Sequence, residues 1–104
     1  MNAPDPLRSD VLHALREVLD PETGLSVVDL GLIYGAEVDP QSGRLRVCMT
    51  FTSPGCPAGG AMMDGVERAL AQLPGLPGVD VEVTFEPRWT PERITQAGRA
   101  QLGW

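Results

Sequence analysis

The sequence predicts an α+β domain of two layers, in the order helix, strand, strand, helix, strand, helix. Three observations predict it. Apolar residues recur at helical spacing over 5–19 and 57–73 and alternate at spacing two over 44–51 and 79–85. The turn-forming run DPQSG, residues 39–43, joins two strand-like segments and reads as the loop of an antiparallel hairpin. A helix separates the second strand from the third, so those two are expected to run parallel, with helices covering one face of a small sheet.

The first helix is expected over DPLRSDVLHALREVL, residues 5–19. Leu7, Val11, Leu15 and Val18/Leu19 share its apolar face, and Asp5-Pro6 or Ser9 can cap it. His13 falls on the polar side beside Arg16 and Glu17, where a solvated surface histidine is expected. Pro21 and Gly24 end the helix. The first strand is LIYGAEV, residues 32–38. The second is RLRVCMTF, residues 44–51, with Leu45, Val47, Met49 and Phe51 on one face and Arg44, Arg46, Cys48 and Thr50 on the other.

The second helix spans 57–73, with Pro57 at its first position and an apolar stripe of Met62, Val66, Ala69/Leu70 and Leu73. PGLPG, residues 74–78, ends it. The third strand, 79–85, points Val79, Val81, Val83 and Phe85 to one face. Thr90-Pro91-Glu92 reads as the start of a last helix that runs to about residue 101 on a thin stripe of Ile94, Gly98 and Leu102. The chain of 104 residues is read as one domain, residues 1–104.

Composition excludes several functions. The formal net charge is −6, with all eight basic residues arginine. That balance disfavours nucleic acid and anionic membrane surfaces as partners, because both bind through basic side chains. No run approaches a membrane span, and the first residues carry no apolar signal core, so the expected location is the cytoplasm. Two cysteines without a secretion signal read as reduced thiols rather than a disulfide framework.

The chemically suggestive residue is Cys56, in TSPGCPAGG between the second strand and the second helix. Gly55 and Pro57 set it at or beside the N-cap of that helix. There the unpaired N–H groups and the helix dipole favour a thiolate, which is the form that attacks electrophiles and binds metals. Gly59-Gly60 weakens the first helical turn, which points to a close approach of something else to that backbone. Cys48 lies mid-strand and is expected to pack or face solvent. Met62 and Met63 read as core filling.

The second polar cluster is Asp20, Glu22 and Asp29. Asp20-Pro21-Glu22 is an ordinary solvated helix stop. Asp29 sits inside the apolar run Val27-Val28-Asp29-Leu30, where it needs a partner or water. It either caps N–H groups of the Leu30-Gly31 turn or serves a functional site. Carboxylate and thiolate together could hold iron or zinc, yet one cysteine without a nearby histidine falls short of a closed site.

The runs DPETGLSVVDLGLIYG, MTFTSPGCPAG and RWTPERITQAGRAQLG resemble the domain-of-unknown-function-59 family over residues 8–103. That family includes SufT-type and PaaD-type iron–sulfur assembly proteins and eukaryotic cytosolic iron–sulfur targeting factors. The resemblance implies an iron–sulfur-cluster-assembly-like α+β fold and a role in maturing or targeting iron–sulfur proteins. It implies that Cys56 is the family's reactive cysteine, that Asp20 and Glu22 are its Asp-Pro-Glu acids, and that Thr52 is its motif threonine. Asp29 stands where many members have Asn or Asp. Trp89-Thr90-Pro91 matches a C-terminal motif of structural character.

PaaD-type members continue into a cysteine-rich C-terminal segment that this sequence lacks, so the short SufT-like members are the nearer resemblance. The candidate site is therefore Cys56, Asp20, Glu22, Asp29 and Thr52, with Cys56 and Glu22 as metal ligands. The expected cargo is a transient iron–sulfur cluster or iron, with none stably bound. The expected partners are the assembly machinery and client proteins, with a homodimer offering a second Cys56. A thiol enzyme is the weaker reading, because no base is available near Cys56. A pure interaction module remains the alternative.

Overall fold

The computed structural model describes residues 9–53, 55 and 59–103. Its elements are α1 (Ser9–Leu15), β1 (Ile33–Val38), β2 (Leu45–Met49), α2 (Gly59–Ala71), β3 (Val79–Val83), a 3-10 turn (Pro91–Arg93) and α3 (Gln96–Leu102). The order is the expected one, and the fold is α+β.

The three strands form a mixed sheet in the order β1-β2-β3. β1 and β2 are antiparallel, and β2 and β3 are parallel with Leu45 opposite Val79 and Met49 opposite Val83. The hairpin loop is built on Asp39. Its carboxylate accepts the Gln41 N–H at 3.0 Å and the Ser42 hydroxyl at 3.1 Å. Residues Leu45, Val47 and Met49 are buried while Arg46 between them is exposed, as alternation requires. These three side chains meet Val11 and Leu15 of α1 and Met62, Val66 and Leu70 of α2 in one core. Among the described residues, no helix is long and apolar enough to cross a membrane.

The other face of the sheet is polar. Arg44 chelates Asp80 through Nε and Nη2 at 2.9 and 2.8 Å, and Arg46 reaches Glu82 at 3.2 Å. The hydrogen bond from Arg44 holds the Asp80 carboxyl below its ordinary value of 3.8. The Gln41 N–H does the same for Asp39, followed by the Ser42 hydroxyl. A lowered folded value means stability that is present above the ordinary carboxylate pKa and lost as pH falls through the folded one. The urea midpoint is therefore expected to drop between about pH 5 and about pH 2, and Asp80→Asn is expected to show a shallower drop. An equal drop in both proteins would exclude Asp80 as a contributor.

Four expectations are corrected. First, α1 ends at Leu15 rather than Leu19, and Leu19 is 54% exposed while Val18 is buried. The chain turns at Arg16–Glu17 to form an isolated bridge between Leu19 and Ser26, which rotates Leu19 off the helical face. The part of this expected helix at residues 5–8 lies outside the described residues, as does the expected start of the second helix at 57–58.

Second, Thr50 does not follow the polar face of β2. It is fully buried, and its N–H donates to Leu32 O at 2.8 Å, because the ladder ends at Met49. Third, β3 stops at Val83, so Phe85 is 38% exposed and meets Phe51 edge-on beyond the sheet.

Fourth, Thr90-Pro91-Glu92 starts a 3-10 turn and not the last helix. Thr90 makes no side-chain cap, whereas Thr95 Oγ1 accepts the Gly98 N–H at 3.0 Å and starts α3. The interruption has a packing cause. Ile94 adopts extended backbone and is buried, and the next N–H, that of Thr95, donates to Asp29 O at 2.8 Å. A continuous helix would forfeit both.

Candidate functional site

Strand directions decide which loops can share a site. Because β1 is antiparallel to β2 and β3 is parallel to it, one end of the sheet collects the amino end of β1 and the carboxyl ends of β2 and β3. The described parts of the segments carrying the three motifs, 20–32, 50–53 and 84–95, meet at that end. Thr50 N–H donates to Leu32 O, Thr84 N–H to Met49 O, and Trp89 Nε1 to Leu30 O at 2.7 Å.

The two acids of the Asp-Pro-Glu run are separated by environment. Asp20 is buried, and both of its carboxylate oxygens serve its own turn. Oδ1 accepts the Glu22 N–H and Oδ2 accepts the Thr23 hydroxyl, each at 3.1 Å. The Thr23 hydroxyl accepts in turn from Leu25 N–H, and the Asp20 N–H donates to Leu25 O. This is a side chain forming its own loop. Glu22 is exposed at the tip of that loop. Asp20 is thus the turn-former, and Glu22 is the acid presented to solvent.

Asp29 is the polar centre of the opposite side of the loop. Its Oδ1 accepts from Arg16 Nη1 at 3.1 Å and from the Thr95 hydroxyl at 2.9 Å. Its backbone carbonyl accepts the Thr95 N–H, and its own N–H donates to Ser26 Oγ. The expected cap of the Leu30-Gly31 turn is not made, since Leu30 N–H donates to Ser26 O and Gly31 N–H to Val28 O. Asp29 instead ties the end of α1 and the start of α3 to the loop before β1.

The C-terminal motif completes this joint. Besides Trp89, the Arg93 guanidinium lies 4.7 Å from the centroid of the Tyr34 ring, and the Tyr34 hydroxyl donates to Pro87 O at 2.7 Å. The backbone of Arg93 presses on Gly31, which has φ +76° and no room for a Cβ. Arg16 and Thr95, the partners of Asp29, were not singled out from sequence. Thr95-x-x-Gly98 is itself a local capping signal, whereas nothing local marks Arg16.

Cys56 and Pro57 lie outside the described residues. Of the residues around them, Thr52, Ser53, Gly55 and Gly59 are described. Thr52 is half-buried in the bend after Phe51, and Gly55 is exposed. The glycine pair splits in role. A Cβ on Gly59 would meet the Phe51 ring, and one on Gly60 would meet nothing within 4 Å. The close approach expected at this backbone is therefore made at Gly59, by the protein's own Phe51. Cys48 is a half-buried free thiol whose ladder neighbours are Gly35 and Glu82. Among the described residues, no three His, Cys, Asp or Glu side chains are grouped as a metal would require.

Comparison with known proteins gives this geometry a family. Residues 8–83 match the family model described as iron–sulfur cluster assembly protein. The chain is 36% identical over 97 residues to the Fe-S protein maturation auxiliary factor YitW of Bacillus subtilis, covering 93% of this chain and 94% of that one. It is 38% identical over 86 residues to the Fe-S protein maturation auxiliary factor SufT of Staphylococcus aureus, covering 83% and 97%. The crystal structure of a DUF59 domain from Bacillus anthracis superposes with a TM-score of 0.84 at 32% identity, covering 91% and 90%. With the fold, the motif order and these matches in agreement over most of its length, the chain belongs to the iron–sulfur cluster assembly protein family, the DUF59 family.

Proposed function

We propose that this protein serves the maturation of iron–sulfur proteins as a carrier or adaptor, and that Cys56 is the residue that meets iron or a cluster. The observation that carries the reading is the family match over residues 8–83, which spans both the Asp20–Glu22 loop and the Cys56 segment. Relatives of nearly the same length are named as Fe-S protein maturation auxiliary factors. The arrangement of strands supports it further, because Glu22 is held exposed in a loop on the same end of the sheet that leads into the Cys56 segment.

The division of labour follows from chemistry. A thiolate is a soft donor suited to iron in a cluster, and an exposed carboxylate is a hard one. Glu22 supplies the oxygen ligand in this reading, Asp20 holds Glu22 in place, and Thr52 borders the segment. One thiol and one carboxylate leave coordination positions open. A partner protein, a small thiol or Cys56 of a second copy completes the set, which suits cargo that must be released.

The test compares wild type, Cys56→Ser and Glu22→Gln in anaerobic reconstitution with iron and sulfide and in maturation of a client iron–sulfur enzyme. Cys56→Ser is expected to abolish labile cluster uptake and to lower client activity at least about tenfold, since serine does not replace a thiolate as a soft ligand. Glu22→Gln is expected to weaken uptake severalfold without abolishing it. Full client maturation with Cys56→Ser would end the proposal and leave a pure interaction module as the explanation.

A further inference from the structure

Helix α2 carries two apolar stripes, although its seat on the sheet uses one. Met62, Val66 and Leu70 are buried in the core. Ala61, Gly65 and Ala69 recur beside them at spacing four, followed by Leu73 just past the helix end, and these four are half-buried or exposed. The second stripe forms one wall of an open groove of about 710 Å³. The other wall is Ala14 of α1 with Val18 and Leu19 of the chain that follows it. The walls meet closely at the floor, where a Cβ on Gly65 would lie 3.1 Å from Val18 Cγ1. Leu19 stands at the edge and is more than half exposed. A solitary exposed leucine needs no explanation, but this one is continuous with the apolar lining of a groove.

Charge indicates what fits there. The α1 side of the groove carries Glu17, and the α2 side carries Arg68. Both are exposed and make only loose contacts, Glu17 with His13 at 3.9 Å and Arg68 with Asp64 at 4.0 Å. One wall is therefore acidic and the other basic. A two-fold axis across the groove lays the acidic wall of one copy on the basic wall of the other, twice over. The whole chain has a net charge of −6, so an approach of one copy to another is repelled over most of the surface. In the lining of this groove one acid and one arginine balance.

We propose that the groove is the contact surface of a symmetric dimer of this chain. Leu19 of each copy lies on Ala61 and Ala69 of the other, and Glu17 of each meets Arg68 of the other. The inference goes beyond the role proposed for Cys56 and does not depend on it. Eleven residues line the groove, fewer than the roughly 20–30 a side of a stable interface. The dimer is accordingly weak and reversible, with a Kd on the order of 10–100 µM.

The test is sedimentation equilibrium of the full chain from about 5 µM to about 0.5 mM, a range that brackets this Kd. Reducing, metal-free buffer excludes joining by a disulfide or by bound iron. Wild type is expected to pass from monomer to dimer. Leu19→Ser is expected to weaken the dimer at least about tenfold, as are Glu17→Arg and Arg68→Glu, each of which sets like charges against one another. An equimolar mixture of Glu17→Arg and Arg68→Glu is expected to dimerise about as well as wild type, because both contacts then join opposite charges. All three side chains are exposed, so the variants are expected to fold as wild type does, which circular dichroism checks.

A chain that stays monomeric to about 0.5 mM would overturn the proposal and leave the groove to a helix of another protein. A dimer left intact by Leu19→Ser and by both charge reversals would overturn it as well, by placing the contact on another face. A mixture no more dimeric than either reversal alone would overturn the two-fold pairing of Glu17 with Arg68.

Discussion

Gly31→Ala is expected to cost about 3 kcal/mol or more, a large share of a typical stability of roughly 5–15 kcal/mol. Two separate penalties add at this position. The backbone has φ +76°, where an L side chain is strained by about 1–2 kcal/mol. The new Cβ would also fall on the Arg93 backbone, with the carbonyl carbon at 2.8 Å and the carbonyl oxygen closer still. That backbone cannot retreat cheaply. It belongs to a 3-10 turn followed by the buried Ile94 and by Thr95, whose N–H is bonded to Asp29 O.

Gly24→Ala provides the control. Gly24 has the same φ of +76°, and an added methyl group there would meet nothing within 4 Å. Its cost is expected to be the conformational part alone, about 1–2 kcal/mol. Urea unfolding of both variants separates the terms. If Gly31→Ala proved no worse than Gly24→Ala, the close packing of the C-terminal segment on this loop would carry no energy.

Asp29→Ala is the second large effect, with an expected cost of about 2–4 kcal/mol. Asp29 Oδ1 holds both Arg16 and the Thr95 hydroxyl, and its loss strips the Thr95 side chain of one partner at the start of α3. Asp29→Asn is expected to be much milder. It keeps an oxygen acceptor for Thr95 and loses only the charge opposite Arg16. The Arg16 side chain is 47% exposed, so solvent screening limits that loss to about 1 kcal/mol or less.

The pair of variants also separates two roles for Asp29. A structural tie predicts that Asn retains client maturation and most of the stability. A charged ligand predicts that Asn keeps the stability and loses the maturation. The geometry favours the tie, because the carboxylate is buried and engaged by two side chains of the same protein. The expected outcome is a stable, active Asn variant, measured by urea unfolding beside the client assay at a temperature where every variant is folded.

Elements whose signal is local were legible in the sequence. Leu45, Val47 and Met49 announce a strand because successive side chains on an extended backbone must alternate, whatever surrounds them. Met62, Val66 and Leu70 announce α2 because residues three and four apart share a helical face. The helix between β2 and β3 dictated their parallel pairing, which the register confirms. Cys56 stood out for the same kind of reason, from its immediate neighbours Gly55 and Pro57.

What the tertiary structure decided is which of several adequate local signals prevailed and which distant residues meet. Thr90-Pro91-Glu92 and Thr95-x-x-Gly98 are both sound helix starts, and the burial of Ile94 together with the Asp29–Thr95 bonds selected the second. Leu19 continued an apolar stripe, but the chain had already turned at Arg16 to reach Ser26. Asp29 was visible as a carboxylate in an apolar run that needed a partner. Its partners lie 13 and 66 positions away, beyond the reach of any periodicity. The glycine at 59 likewise signalled a close approach without naming Phe51 as its source. Periodicity is a property of backbone geometry and can be read along one dimension, whereas the choice of a hydrogen-bond or packing partner is made only when the folded chain closes around it.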